Sequence, residues 1–129
     1  MKMVRSFFAA AALLFVFINN AAAQCQTWND SPRKSEAEDA HVIYRPFLKG
    51  KDVPDLVKMD DANFNIAFDN WKKAYEIAPA ADGQRPSHFA DGRLLNRALM
   101  GRTTDEAKKK EYAAAVVRLY DEEIQCYKN

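Results

Sequence analysis

Apolar side chains recur along residues 64–78 at steps of three and four: Phe64, Ala67, Phe68, Trp71, Ala74, Tyr75 and Ala78. That is the period of an α-helix with one buried face. Asp60 or Asp61 stands where its N-cap belongs. Upstream, Ala40, Ile43, Tyr44, Phe47 and Leu48 give the same period over residues 36–49. Ser35 and Glu38 have the spacing of a capping box, so this helix is expected to begin at Glu36. Pro46 should kink or end it, because proline lacks the N–H donor and its ring clashes with the preceding turn. Gly50 is a natural stop. In between, Val53, Pro54, Leu56, Val57 and Met59 carry enough apolar surface for a helical turn that folds back.

Beyond the Pro-, Gly- and Asp-bearing loop at 79–87, two further helices are expected. Ser87 is placed to cap a third, with Phe89, Leu94, Leu95, Ala98, Leu99 and Met100 inward. Gly92 weakens it by about 1 kcal/mol relative to alanine, unless a close helix crossing needs the space. Thr103 and Glu106 form a second capping-box spacing before a fourth helix, with Tyr112, Val116, Leu119, Tyr120, Ile124 and Tyr127 inward. No run alternates apolar and polar residues as a strand would. The expected fold is therefore all-α: about four helices in antiparallel hairpins, with no sheet.

Residues 1–23 change the picture. Lys2 and Arg5 precede an apolar run from Phe7 to Ile18, and Ala21 and Ala23 then bracket a small-residue cut site. This is the layout of a secretory signal peptide, and the apolar run falls short of the roughly 20 residues a membrane span needs. The organisation expected is a signal peptide at 1–23, an extended arm at 24–34 holding Trp28, and a helical domain at 35–129. Export places the chain in the periplasm, the cell envelope or outside the cell, where disulfides persist. Cys25 and Cys126 are the two cysteines, and pairing them would tie the arm to the last helix. A lipid on Cys25 is the competing reading, although Gln24 stands where the lipoprotein peptidase wants a small residue. Nineteen Lys and Arg face eighteen Asp and Glu, with two of the cations in the leader. Nucleic-acid binding needs a basic excess, so it is not expected; nor is a membrane span after the leader.

Within the strongest helix, Ala67, Trp71, Ala74 and Pro79 stand in the spacing A-x3-W-x2-A-x4-P, with Phe64 one turn before. This resembles the second helix of a tetratricopeptide repeat, in which small residues admit a partner helix and an aromatic fills the gap. The resemblance implies that residues 36–49 form the first helix of the unit. Ala113, Val117 and Tyr120 repeat the pattern loosely in the fourth helix, with Gln125 where proline would fall. The interval from Ala67 to Ala113 is longer than the family's repeat of about 34 residues. Residues 78–83 and 119–123 are similar to the N-terminal parts of secreted tetratricopeptide proteins of Bacteroidetes-type bacteria. What the resemblance implies is a stacked-helix scaffold that binds a protein or peptide without catalysis, or the leading fragment of a longer array. An unrelated bundle with Trp71 and Tyr75 in its core is the alternative.

Catalytic signals are sparse. His41 and His88 are the only histidines. No H-E-x-x-H or C-x2-C spacing supports a metal, and no phosphate-binding glycine loop or cofactor motif is present. An exposed or capping role is expected for His41, and solubilising charge at helix ends and solvated faces for Asp60–Asp61 and for residues 121–123. Arg85, Arg93, Arg97 and Arg102 cluster around one acid, Asp91. The resemblance would place Arg93, Asn96 and Arg97 in a groove that takes a peptide carboxylate or acidic segment, through bidentate guanidinium bonds. A basic face paired to the fourth helix is the plainer reading. The function expected is a non-enzymatic interaction scaffold. The alternative is a small disulfide-closed inhibitor or ligand binder, with a pocket lined by Trp71, Tyr75 and Tyr120.

Overall fold

The computed structural model describes residues 25–128, so the signal peptide expected at 1–23 lies outside the described residues. Five helices form among the described residues: α1 (Lys34–Leu48), α2 (Val53–Lys58), α3 (Asp61–Ile77), α4 (Ser87–Arg102) and α5 (Glu106–Cys126). No strand occurs among the described residues. The all-α expectation holds, with α2 as a short fifth helix in the connection between the first two long ones. α1 packs along α3, and α4 along α5. The first pair is antiparallel: Glu36 at the start of α1 pairs with Lys73 near the end of α3, at 3.6 Å, and Ala37 packs with Ile77. Contacts of α3 and α2 with α4 join the two halves.

The core is built from Tyr44, Leu48, Leu56, Phe64, Trp71, Phe89, Leu95 and Leu119, with alanines where helices approach closely. Every residue expected inward on α3 is buried or half-buried, and Ile77 joins them. Gly92 marks the close crossing. A β-carbon there would stand 2.2 Å from Trp71 Cζ2 and 3.0 Å from Leu119 Cδ1, so the α4 backbone lies directly on the indole.

Several local expectations are corrected. α1 begins at Lys34, so Ser35 lies inside its first turn and does not cap it, and the N-cap Arg33 makes no side-chain cap bond. Pro46 does not end α1, which continues to Leu48. The carbonyl left without a donor is that of Val42, and both residues lie on the exposed side where water can serve it. Pro86, not Ser87, is the N-cap of α4. Asp105 caps α5 by accepting from Ala107 and Lys108 N–H, displacing the Thr103–Glu106 box. Asp60 does cap α3, accepting from Asn63 N–H at 2.9 Å. The capping box that forms is Asp52–Asp55, at the start of α2.

α5 departs furthest from expectation. Its buried residues are Ala115, Leu119 and Cys126, whereas Tyr120 and Ile124 are exposed. Val117, the middle of the loosely repeated pattern, is exposed too.

Cys25 and Cys126 stand at disulfide distance, Cα atoms 5.2 Å apart across a sequence separation of 101. The bond occupies the sulfur that a lipid would need. In the chain-entropy account, closing a loop of this size contributes about 4.7 kcal/mol. The bridge holds the arm beside the end of α5, and the arm's backbone pairs with the 79–86 loop: Ala80 N–H donates to Gln26 at 3.0 Å and Trp28 N–H to Ala81 at 2.9 Å.

The crossing at Gly92 yields a prediction. Gly92→Ala gains helix propensity of about 1 kcal/mol but overpacks the indole, so a net loss of about 1–3 kcal/mol is expected. Urea denaturation reads it directly. Trp71→Phe removes the clashing atoms, so the two substitutions together should cost less than the sum of each alone; strict additivity would refute the contact.

Candidate functional site

The residues picked out by the tetratricopeptide-like spacing are structural. Phe64, Ala67, Trp71 and Ala74 are all buried on the inner face of α3, and Pro79 follows its C-cap Ala78. The Trp71 indole donates Nε1–H to the His88 carbonyl at 2.7 Å and stacks on Tyr75, ring centroids 5.4 Å apart.

The three residues expected in a peptide groove do not converge on one. Arg93 pairs with Glu123 of α5 and lies over the Tyr120 ring, 4.0 Å from its centroid. Asn96 is buried and donates back to the Gly92 carbonyl at 2.8 Å. Arg97 is exposed and donates to the Tyr120 hydroxyl at 3.1 Å. Arg93 and Arg97 thus pair with the last helix, as the plainer reading of the basic face had it. Arg102 has a separate role. Its guanidinium donates to the carbonyls of Leu56, Val57 and Met59 at 3.0, 3.1 and 2.6 Å, pairs with Asp61 and covers Phe64. A long cation thereby satisfies the end of α2, where carbonyls lack intrahelical partners.

What the sequence did not reveal is that His41 and His88, 47 residues apart, meet at 2.8 Å. His88 is fully buried, and its Nδ1 lies 2.7 Å from the Ala78 carbonyl. A carbonyl only accepts, so His88 carries its proton on Nδ1 and its Nε2 accepts from His41 Nδ1–H. Beside this pair the Tyr44 hydroxyl donates to Asp91 at 2.7 Å. Arg45 donates to both oxygens of the same carboxylate at 2.8 and 2.9 Å. Trp28 covers the network from the arm, its ring edge-on to His41 and His88 at 5.2 and 5.8 Å. Every buried side-chain polar atom among the described residues has a partner.

Burial dominates the electrostatics of this network. It pushes His88 down to about 4, against the opposing pull of the Ala78 carbonyl. It lowers His41 as well, and the nearby Arg45 charge adds to the effect. Burial, then the Asp91 carboxylate, holds the Tyr44 hydroxyl protonated far above its usual range. Both imidazoles are therefore neutral at pH 7, and the network acts as a polar clasp between α1 and α4. A cavity of about 160 Å³ opens beside it, lined by Trp28, His41, Arg45, Asp82, Arg85 and Ser87. Among the described residues no group of three His, Cys, Asp or Glu is placed to hold a metal ion.

A larger cleft, about 610 Å³, lies between α3 and α5 against the disulfide. Tyr75, Pro79 and Phe89 line it together with Cys25 and Cys126, and Glu76, Arg118, Asp121 and Glu122 bring charge to it. Burial pushes the Glu122 carboxyl up. A shallower recess of about 190 Å³, lined by Phe68, Trp71 and Tyr75 among others, shares Tyr75, Glu76 and Arg118 with this cleft. Tyr120, expected beside Trp71 and Tyr75, lines neither of them.

No protein-family model, no curated protein and no solved structure matches this chain. No helix among the described residues is long and apolar enough to cross a membrane.

The neutral His88 predicts the direction of acid sensitivity. An unfolded histidine titrates near 6.5, whereas the folded one holds out to about 4. The unfolded chain then binds the extra proton first, so stability is full above pH 6.5 and falls as pH drops toward 4. The loss attributable to His88 is about 2 kcal/mol by pH 5 and about 3 kcal/mol by pH 4. Urea unfolding at pH 7.5, 6 and 5 measures it, and His88→Gln should flatten the slope; an equally steep variant would show that other groups set it.

Proposed function

We propose that this chain is a non-enzymatic helical-hairpin scaffold of the tetratricopeptide kind that docks a protein partner in an exported compartment. The antiparallel packing of α1 on α3 agrees with that reading, as does the use of alanines and Gly92 at the helix contacts. The observation that carries it is the outward row on α5. Val117, Tyr120 and Ile124 recur at helical spacing and are 59, 42 and 61 % exposed. Such a row, in a hairpin that hides its apolar face by stacking, is suited to the apolar side of another helix. The partner that fits is an amphipathic helix laid along α5. The disulfide and the leader favour a periplasmic, envelope or extracellular setting.

A photo-crosslinking residue at position 117 or 124 of the exported protein tests this in cells. The expected result is a discrete adduct to a second polypeptide from those two positions, lost when Tyr120→Asp is added and absent from Asp69 on α3. No adduct, or the same adducts from Asp69, would overturn the scaffold assignment.

A further inference from the structure

We propose that the cleft between α3 and α5 is a binding site for a small organic ammonium ion with an apolar body. Its volume, about 610 Å³, falls within the roughly 300–1,000 Å³ typical of small-molecule sites. The interior is apolar. Tyr75 and Phe89 present two aromatic rings at 81°, centroids 5.9 Å apart, and the disulfide closes one side. Phe89 is buried and Tyr75 half-buried, so these rings are apolar wall for the body of the ligand, and its sign is set at the rim.

The rim selects the sign of the ligand. Glu76 comes from α3, and Asp121 and Glu122 from α5, against a single lining cation, Arg118. Arg118 lies 3.5 Å from Glu122, and Lys72 stands 3.8 Å from Glu76 at an exposed surface. Asp121 adds a third carboxylate to the lining. Burial disfavours the charged form of Glu122, and an ammonium beside it would relieve that penalty. An anion would meet three carboxylates, and a neutral polar molecule would gain little from the rings. This site uses residues 118, 121 and 122, a different side of α5 from the outward row, so it stands or falls apart from the scaffold reading.

The test is a titration of the intact disulfide-bonded protein, followed by amide chemical shifts. Phenethylamine, an ammonium at pH 7, is compared with phenethyl alcohol and with phenylacetate. Saturable shifts centred on Tyr75, Phe89 and Asp121 are expected for the amine, weaker ones for the alcohol and none for the acid. Asp121→Asn should weaken amine binding by up to about fivefold, the contribution of one partly exposed charge. Tyr75→Leu should weaken it while keeping the fold, which the unperturbed shifts of α1 report. If the three probes bind alike, if none saturates, or if both variants bind the amine as tightly as the parent, the assignment is wrong.

Discussion

The turn after α3 runs through the interior, and the rest of the molecule is arranged around its backbone. Ala78, Ala80 and Ala81 are 0–1 % exposed, although connecting segments usually lie at the surface because buried peptide groups need partners. Here each carbonyl finds one. His88 Nδ1–H donates to Ala78, the Tyr127 hydroxyl to Ala80 at 3.3 Å, and Trp28 N–H to Ala81. Alanine is the side chain that permits this burial, since anything larger would push the arm, α4 and the end of α5 away. One buried loop therefore orders three distant parts of the chain: the arm, the first turn of α4 and the last turn of α5. The disulfide then fixes two of those three to each other.

The histidine pair carries the same constraint into α1. Because the Ala78 carbonyl fixes the tautomer of His88, the far nitrogen of that ring becomes an acceptor, and His41 on α1 supplies the donor. A hydrogen bond chosen by a loop thus sets which residue α1 must present to α4. The opposite end of the bundle is held by different means. There Arg102 satisfies the last carbonyls of α2 while resting on Phe64. α2 and α4 are tied at that end, and α1 and α4 at the other.

Much of this was legible in the sequence because it depends on local period. The inner face of α3, the Asp60 cap and the helical character of 53–58 follow from spacing and capping chemistry alone. Gly92 was readable as a close crossing, though not its partner. The histidines were not readable. His41, Tyr44 and Arg45 share one side of α1, and His88 and Asp91 one side of α4, yet each set read alone resembles a polar edge. Their meaning arises from a pairing across 46 or 47 residues, which no local period encodes. One signal was available: His41 sits between Ala40 and Tyr44, so the helix that buries those two brings its ring to the core's margin. The true caps of α1, α4 and α5 were missed for a related reason. Several Ser, Thr and Asp residues compete near each start, and the tertiary position of the chain decides among them.

α5 shows why the candidate surfaces were the hardest part to read. Its 21 residues carry apolar groups around most of the circumference, so periodicity cannot say which stripe faces the core. The choice is made by Gly92 and the disulfide. Leu119 packs at the Gly92 crossing, and Cys126 must reach Cys25; those two points fix the rotation of the helix. Once they are fixed, Val117, Tyr120 and Ile124 have no room inside and turn outward. Arg118, Asp121 and Glu122 come to the cleft by the same rotation. Both proposed surfaces are thus consequences of one glycine and one bridge. Rotating α5 about its axis would displace the outward row and the cleft residues together. The core contact at Leu119 therefore positions both proposed surfaces from inside the fold.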